Sequence, residues 1–143
     1  ENIDLFIGKD VRNYTLSFTN GCFDILHSDH TAFLKFAKSQ GDKLVVAVNS
    51  DESVSRIKEG RPIVPLKNRM ELLASLESVD FVVVFDEDTP LNLMKKVCPD
   101  VIVKGSDYQA NKVVGSDLFK VAISPLPVVI STTQIIDKIK SLN

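Results

Sequence analysis

Phe18-Thr19-Asn20-Gly21-Cys22-Phe23-Asp24-Ile25-Leu26-His27, continued by Ser28-Asp29-His30, is the stretch on which the fold turns. An apolar, β-rich run reaches a glycine, and two histidines three residues apart stand where a helix should begin. Strand, glycine turn and helix start in that order bring backbone N–H groups, the positive end of a helix and two imidazole donors to one spot. Gly21 would let the chain turn and approach an anion without a Cβ in the way. His27 and His30 would project from one helix face and donate to phosphate oxygens. Taken alone, two histidines at this spacing fit a solvated helix surface better; the glycine turn before them shifts the balance to phosphate binding.

The same alternation continues along the chain. Residues 14–19, 43–49, 81–85 and 101–104 read as strands that are apolar on both faces, as strands of a parallel sheet covered on both sides are. A weaker fifth strand is expected within 121–130, interrupted by Pro125 and Pro127. Helices are expected over 28–39, with Phe33, Phe36 and Ala37 buried; over 51–58; over 67–78, burying Met70, Leu73 and Leu76; from Thr89-Pro90, with the threonine as cap and Leu93, Met94 and Val97 buried; and over 133–142, burying Ile135, Ile136 and Ile139. This predicts a Rossmann-like α/β fold, a doubly wound parallel five-stranded sheet with helices on both faces. Ligands of such sheets sit outside the carboxyl ends of the strands, where the strand order reverses. One domain over 1–143 is expected, with 1–13 as a lead-in segment.

Composition narrows the function. With 143 residues, 44% hydrophobic and 25% charged, the chain has the make-up of an ordinary globular domain. A net charge of −2 with mixed signs argues against a nucleic-acid partner. No apolar run is long enough to span a bilayer and no secretory leader is visible, so a cytoplasmic protein without membrane contact is expected. Cys22 and Cys98 are the two cysteines and lack CxxC spacing, so neither a disulfide framework nor a zinc site is expected.

Three further clusters could share the crevice. Lys58, Arg61 and Arg69, with Gly60 and Pro62 among them, would neutralise a polyphosphate. Arg69 lies in the first turn of a helix, an unfavourable place for a cation unless it serves a site. Lys104-Gly105-Ser106-Asp107-Tyr108 is a glycine turn after a strand, with Asp107 as an acceptor. Ser131-Thr132-Thr133 opens the last helix and is explained by capping alone unless the other clusters join it. Asn49 to Asp51 also follows a strand.

In this order the stretches FTNGCFDILH (18–27), GDKLVVAVNSD (41–51), GRPIVPLKNR (60–69), DEDTP (86–90), PDVIVKGSDY (99–108), VVG (113–115) and STTQII (131–136) resemble the cytidylyltransferase-like nucleotidyltransferases. Within that superfamily they look most like the adenylyltransferases that form ADP-heptose from heptose 1-phosphate. The resemblance implies AMP transfer from ATP to a sugar 1-phosphate, with Mg²⁺ bridging phosphates and pyrophosphate leaving. It implies His27, His30, Lys58 and Arg69 as catalytic residues. Asn20, Gly21, Cys22, Phe23, Gly105, Asp107, Ser131, Thr132 and Thr133 would hold the nucleotide, and Asp24, Asn49, Asp51 and Arg61 the acceptor. No protein metal ligand is implied, and a homodimer is.

Two positions depart from the pattern. Asp29 stands where the family has glycine, adding bulk and negative charge near the expected phosphates. The stretch between Gly115 and Ser131 is also shorter than usual. Two alternatives therefore stay open: a cytidylyltransferase using CTP and glycerol 3-phosphate or a similar alcohol, and a nucleotide-binding protein whose catalysis Asp29 has weakened.

Overall fold

Valine, leucine and phenylalanine in consecutive positions along the strands build the centre of the molecule, a sheet whose two faces are both dry. The computed structural model describes residues 12–142. Its elements run β1 (Leu16–Gly21), α1 (Ser28–Ser39), β2 (Lys43–Asn49), α2 (Asp51–Ile57), α3 (Leu66–Ala74), β3 (Phe81–Phe85), α4 (Leu91–Val97), β4 (Val101–Lys104), a 3-10 turn at Ala110–Lys112, β5 (Lys120–Ile123) and α5 (Thr132–Lys140). The five strands are parallel in the order β3-β2-β1-β4-β5, the doubly wound arrangement expected from the sequence.

The period of two along each strand sorts the core into halves. Leu16, Phe18, Val45, Ala47, Val83, Phe85 and Ile102 pack on one face with Met94 and Val97 of α4. Leu44, Val46, Val48, Val82, Val101 and Val103 pack on the other with Leu34 and Ala37 of α1 and Leu73 of α3. Carboxylates close the amino-terminal edge, where the Asp100 carboxylate accepts from Leu16 N at 2.8 Å and Asp80 from Leu44 N at 2.8 Å. Of the lead-in segment, residues 1–11 lie outside the described residues; the Arg12 guanidinium donates to the carbonyls of Val97 and Cys98, each at 2.8 Å.

Where order reverses, the sheet splits. β1 pairs with β2 over its whole length, from Leu16↔Lys43 to Gly21↔Val48. With β4 it pairs only at Ser17↔Val101 and Phe18↔Ile102. Beyond Phe18 the two strands part, and this gap at their carboxyl ends is where the site forms.

Several elements differ from expectation in detail. β1 begins two residues later and carries on through Asn20 and Gly21, so the sharp turn falls after Gly21. β5 stops at Ile123 because Pro125 and Pro127 have no N–H to offer a ladder. Residues 124–131 continue as an irregular strap, not as strand. α4 is capped by Pro90, not by the Thr89 hydroxyl. α5 buries no side chain fully; Ile135 and Ile136 are half-buried and Ile139 is 56% exposed. Helical spacing marks an apolar face but does not fix the depth of its cover.

Candidate active site

The turn after β1 is held in a strained form. Phe23 adopts φ 48°, a left-handed backbone that costs an L-residue roughly 1–2 kcal/mol. Its buried ring packs beside His30, with centroids 5.3 Å apart, and also against Gly21. A Cβ on Gly21 would lie 3.0 Å from the Phe23 ring and press on it, so what glycine supplies there is room for that ring and not a positive φ.

That turn delivers the chain to α1. His27 is the residue before the helix, and its backbone N–H donates to His30 Nδ1 at 3.3 Å. Accepting that bond leaves Nδ1 unprotonated, so the neutral His30 ring carries its proton on Nε2. Burial, and next the facing His27, push its pKa down to about 4. The two rings are stacked with centroids 3.8 Å apart. His30 is thus a neutral N–H donor at pH 7.

Both histidines line a cavity of about 370 Å³ over the β1/β4 gap. Lys58 and Arg61 reach it from the loop after α2, and Lys104 to Tyr108 from the loop after β4. The strap supplies Leu126, Pro127, Val128 and Ile130, and the start of α5 supplies Ser131, Thr132 and Thr133. Ser131 caps α5 by accepting from Gln134 N at 3.1 Å. Thr132 Oγ1 donates to the Ile25 carbonyl at 3.2 Å, and the Arg61 guanidinium donates to Thr133 Oγ1 at 2.9 Å. These bonds hold the helix start against the first turn and the cationic loop. Thr19 Oγ1 is buried at this cavity without a hydrogen-bond partner among the described residues, whereas the His27 side chain faces the backbone N–H of His30 in a reciprocal cap of α1. Buried polar atoms are seldom left without a partner, and Thr19 Oγ1 is a candidate to meet a polar ligand.

Of the residues expected here, Asn20, Gly21, Cys22, Phe23, Asp24, His27, His30, Lys58, Arg61, Gly105, Asp107, Ser131, Thr132 and Thr133 all line the cavity. Asp24 does so with its carboxylate already engaged, accepting from Ile63 N at 2.9 Å and Val64 N at 2.8 Å, so it fixes the cationic loop. The Cys22 thiol is pushed up by burial, which keeps it protonated and unreactive.

Arg69, Asn49 and Asp51 stand behind the site, not in it. Arg69 is 0% exposed. Its guanidinium donates to the carbonyls of Val64 (2.9 Å), Cys22 (2.8 Å) and Asn49 (2.9 Å) and to the Asp51 carboxylate (2.7 Å). The misplaced cation at a helix start therefore has a structural reason. The Asn49 side chain is buried and donates to Ser53 Oγ at 3.0 Å.

Lys104, which the sequence offered only as the first residue of a glycine turn, is given a place of its own by the structure. It is 9% exposed, and Nζ bridges the open gap to Asn20, 3.2 Å from its backbone oxygen and 3.4 Å from Oδ1. Nζ also lies 4.6 Å from the centroid of the Tyr108 ring. Burial lowers its pKa to about 8. A lysine ending an apolar strand beside a glycine turn was the available signal.

A doubly wound α/β protein with a cationic, donor-lined cavity at its switch point is what fold and site define. Residues 18–141 match the cytidylyltransferase-like family model, and the chain belongs to that family. It is 50% identical over 141 residues to the "Bifunctional protein HldE" of Campylobacter fetus subsp. fetus, covering 97% of this chain and 31% of that protein. With the protein of the same name from a Nitratiruptor species it shares 52% identity over 145 residues, again 31% of the relative's length. The chain thus spans about a third of these relatives. Among solved structures, a lipopolysaccharide core biosynthesis protein from Thermoplasma volcanium superposes with a TM-score of 0.67 at 31% identity, over 78% of this chain and 94% of that one. Pantothenate synthetase from Thermus thermophilus shares the fold, with a TM-score of 0.61 at 18% identity over 90% of this chain and 60% of that one. No described helix is long and apolar enough to cross a membrane.

Proposed function

We propose that the chain transfers AMP from ATP to a sugar 1-phosphate, heptose 1-phosphate, and releases pyrophosphate. The observation that carries this reading is the convergence of His27, His30, Lys58, Arg61 and the start of α5 on one cavity. Neutral and cationic donors arranged together suit a triphosphate better than they suit a neutral metabolite. The family match supports nucleotide chemistry, and the stretches quoted above favour adenine and heptose.

In the reaction an oxygen of the acceptor's phosphate forms a bond to the α-phosphorus of ATP as the bond to pyrophosphate breaks. The attacking oxygen is already ionised at neutral pH, so no general base is needed. His30 Nε2–H and His27 donate to the oxygens on which charge gathers, and Lys58 and Arg61 neutralise the departing pyrophosphate. N–H groups at the start of α5 add the helix dipole. Among the described residues no group of three or more His, Cys, Asp or Glu could hold a metal ion. Mg²⁺ belongs in this reading to the nucleotide, as the counter-ion carried on its own phosphates.

Asp29 does not weigh against the enzyme. Its carboxylate accepts from Val129 N and Ile130 N, both at 2.7 Å, which commits it to the strap. The test is pyrophosphate release with ATP or CTP against heptose 1-phosphate and glycerol 3-phosphate. ATP with the heptose is the productive pair expected, and His30→Ala should cut its turnover roughly 100- to 1000-fold, the usual loss of one transition-state donor. Turnover by CTP with glycerol 3-phosphate alone would replace the substrates; an undiminished His30→Ala would remove the histidines from the chemistry.

A further inference from the structure

The strap 124–131 walls the cavity yet has little of its own to hold it. Pro125 and Pro127 have no N–H, and Leu126 N is spent on Ser124 Oγ at 3.1 Å. Val128 and Val129 are 63% and 73% exposed, and α5 beyond buries no side chain fully. Against that background stand the two 2.7 Å bonds by which one oxygen of Asp29 takes the N–H groups of Val129 and Ile130, about 100 residues away in the chain. Asp29 lies in the first turn of α1, where the helix dipole favours a carboxylate and keeps it ionised to make those bonds. The same two amides hold its carboxyl below the usual carboxylate range.

We propose that Asp29 is a positioning residue for nucleotide binding: its carboxylate anchors the strap and thereby places the cavity wall and the Ser131-Thr132-Thr133 helix start. The two departures from the family pattern are then one device. A glycine before the second histidine has no side chain with which to hold a strap, and the shortened segment between Gly115 and Ser131 supplies the amides that Asp29 holds. Asp29 itself borders the cavity, but the carboxylate oxygen that holds the strap is taken up by two amides, and it acts through Ile130 and the residues that follow, which line the cavity with it. The identity of the ligand rests on the adenylyltransferase reading; the anchor does not.

The experiment compares the parent with Asp29→Gly, Asp29→Ala and Asp29→Asn. Amide exchange at residues 128–131 is followed without ligand, and KM for ATP and kcat are measured separately. In Asp29→Gly and Asp29→Ala the exchange should accelerate and KM for ATP rise roughly tenfold, the scale of one lost charge-assisted hydrogen bond, with kcat changed less than about threefold. Asp29→Asn keeps a carbonyl oxygen as acceptor and should stay within about threefold of the parent in both. Unaltered exchange in the glycine and alanine variants overturns the proposal. So does a lower KM in Asp29→Gly, which would mark the carboxylate as an obstacle to phosphate. Should the parent release no pyrophosphate from any pair, the adenylyltransferase reading fails, while the exchange measurement still decides for or against the anchor.

Discussion

The stacking of His27 and His30 at 3.8 Å brings two imidazoles closer than two positive charges tolerate. At ~4 Å and an effective dielectric of about 20, two imidazolium charges would repel by roughly 4 kcal/mol, less here because both rings are part-exposed. Together with burial, which is the larger cause, this keeps His30 neutral, with a pKa of about 4 against an ordinary 6.5. The sign of the consequence follows. Between pH 6.5 and pH 4 the unfolded chain takes up the proton that folded His30 refuses, so stability falls as pH falls across that window. Asp29 and Asp42 act in the same direction, but as carboxylates held below 3.8 they act at lower pH. Urea midpoints at pH 7 and pH 4.5 should therefore converge in His30→Gln relative to the parent. Parallel losses in the two proteins would mean that His30 accepts its proton freely and is not the buried neutral donor described. A polyphosphate bound beside the ring would oppose that shift, since a nearby anion favours the imidazolium form.

Arg69 belongs to the scale of elements, because one guanidinium joins four of them. It ties the turn after β1 (Cys22 O), the end of β2 (Asn49 O), the start of α2 (Asp51) and the loop before α3 (Val64 O). Arg69→Met would leave three inward-facing carbonyls without a donor and strip Asp51 of its partner. The expected cost is about 3 kcal/mol, or roughly 6–12 °C in Tm for a chain of this size. Arg69→Lys should recover little, since an ammonium cannot reach four divergent acceptors. If instead Arg69→Met lost turnover with its melting point intact, the arginine would belong to the phosphates after all. Arg69 also marks the limit of reading elements from sequence. Spacing located β2, β3, β4 and α1 to the residue, because a valine-rich run and a helical stripe are local signals. Where the β1 turn fell, why β5 ended and what Arg69 bonds were decided by distant partners: the Phe23 ring over Gly21, prolines in the strap, carbonyls from three other segments. The lining of the cavity was legible wherever a motif carried it, as at 18–30 and 131–133. The place Lys104 takes was not, because its importance comes from β1 and β4 parting beside it, a fact of sheet register that no local pattern announces.

For the whole molecule, the cavity lies where the two halves of the sheet separate, so an occupant bridges parts that the sheet itself does not join. The β1 turn, α1 and the 58–61 loop come from one half; the β4 turn, the strap and α5 come from the other. A ligand that binds only this assembled state stabilises it by mass action, about 2.7 kcal/mol at a concentration 100 times its Kd. At this chain length that is a rise of roughly 5–10 °C in Tm. ATP should produce that rise, and CTP a smaller one at equal concentration. Amide exchange should slow in both halves at once, at residues 20–30 and at 129–133, because the polyphosphate would contact both. Lys58→Ala should reduce the shift with ATP without altering the melting point of the free protein, since Lys58 lies exposed in its loop. A nucleotide that slowed exchange in one half only would place the binding site off the gap, and the convergence of imidazoles, loop cations and helix start would then serve something other than a polyphosphate.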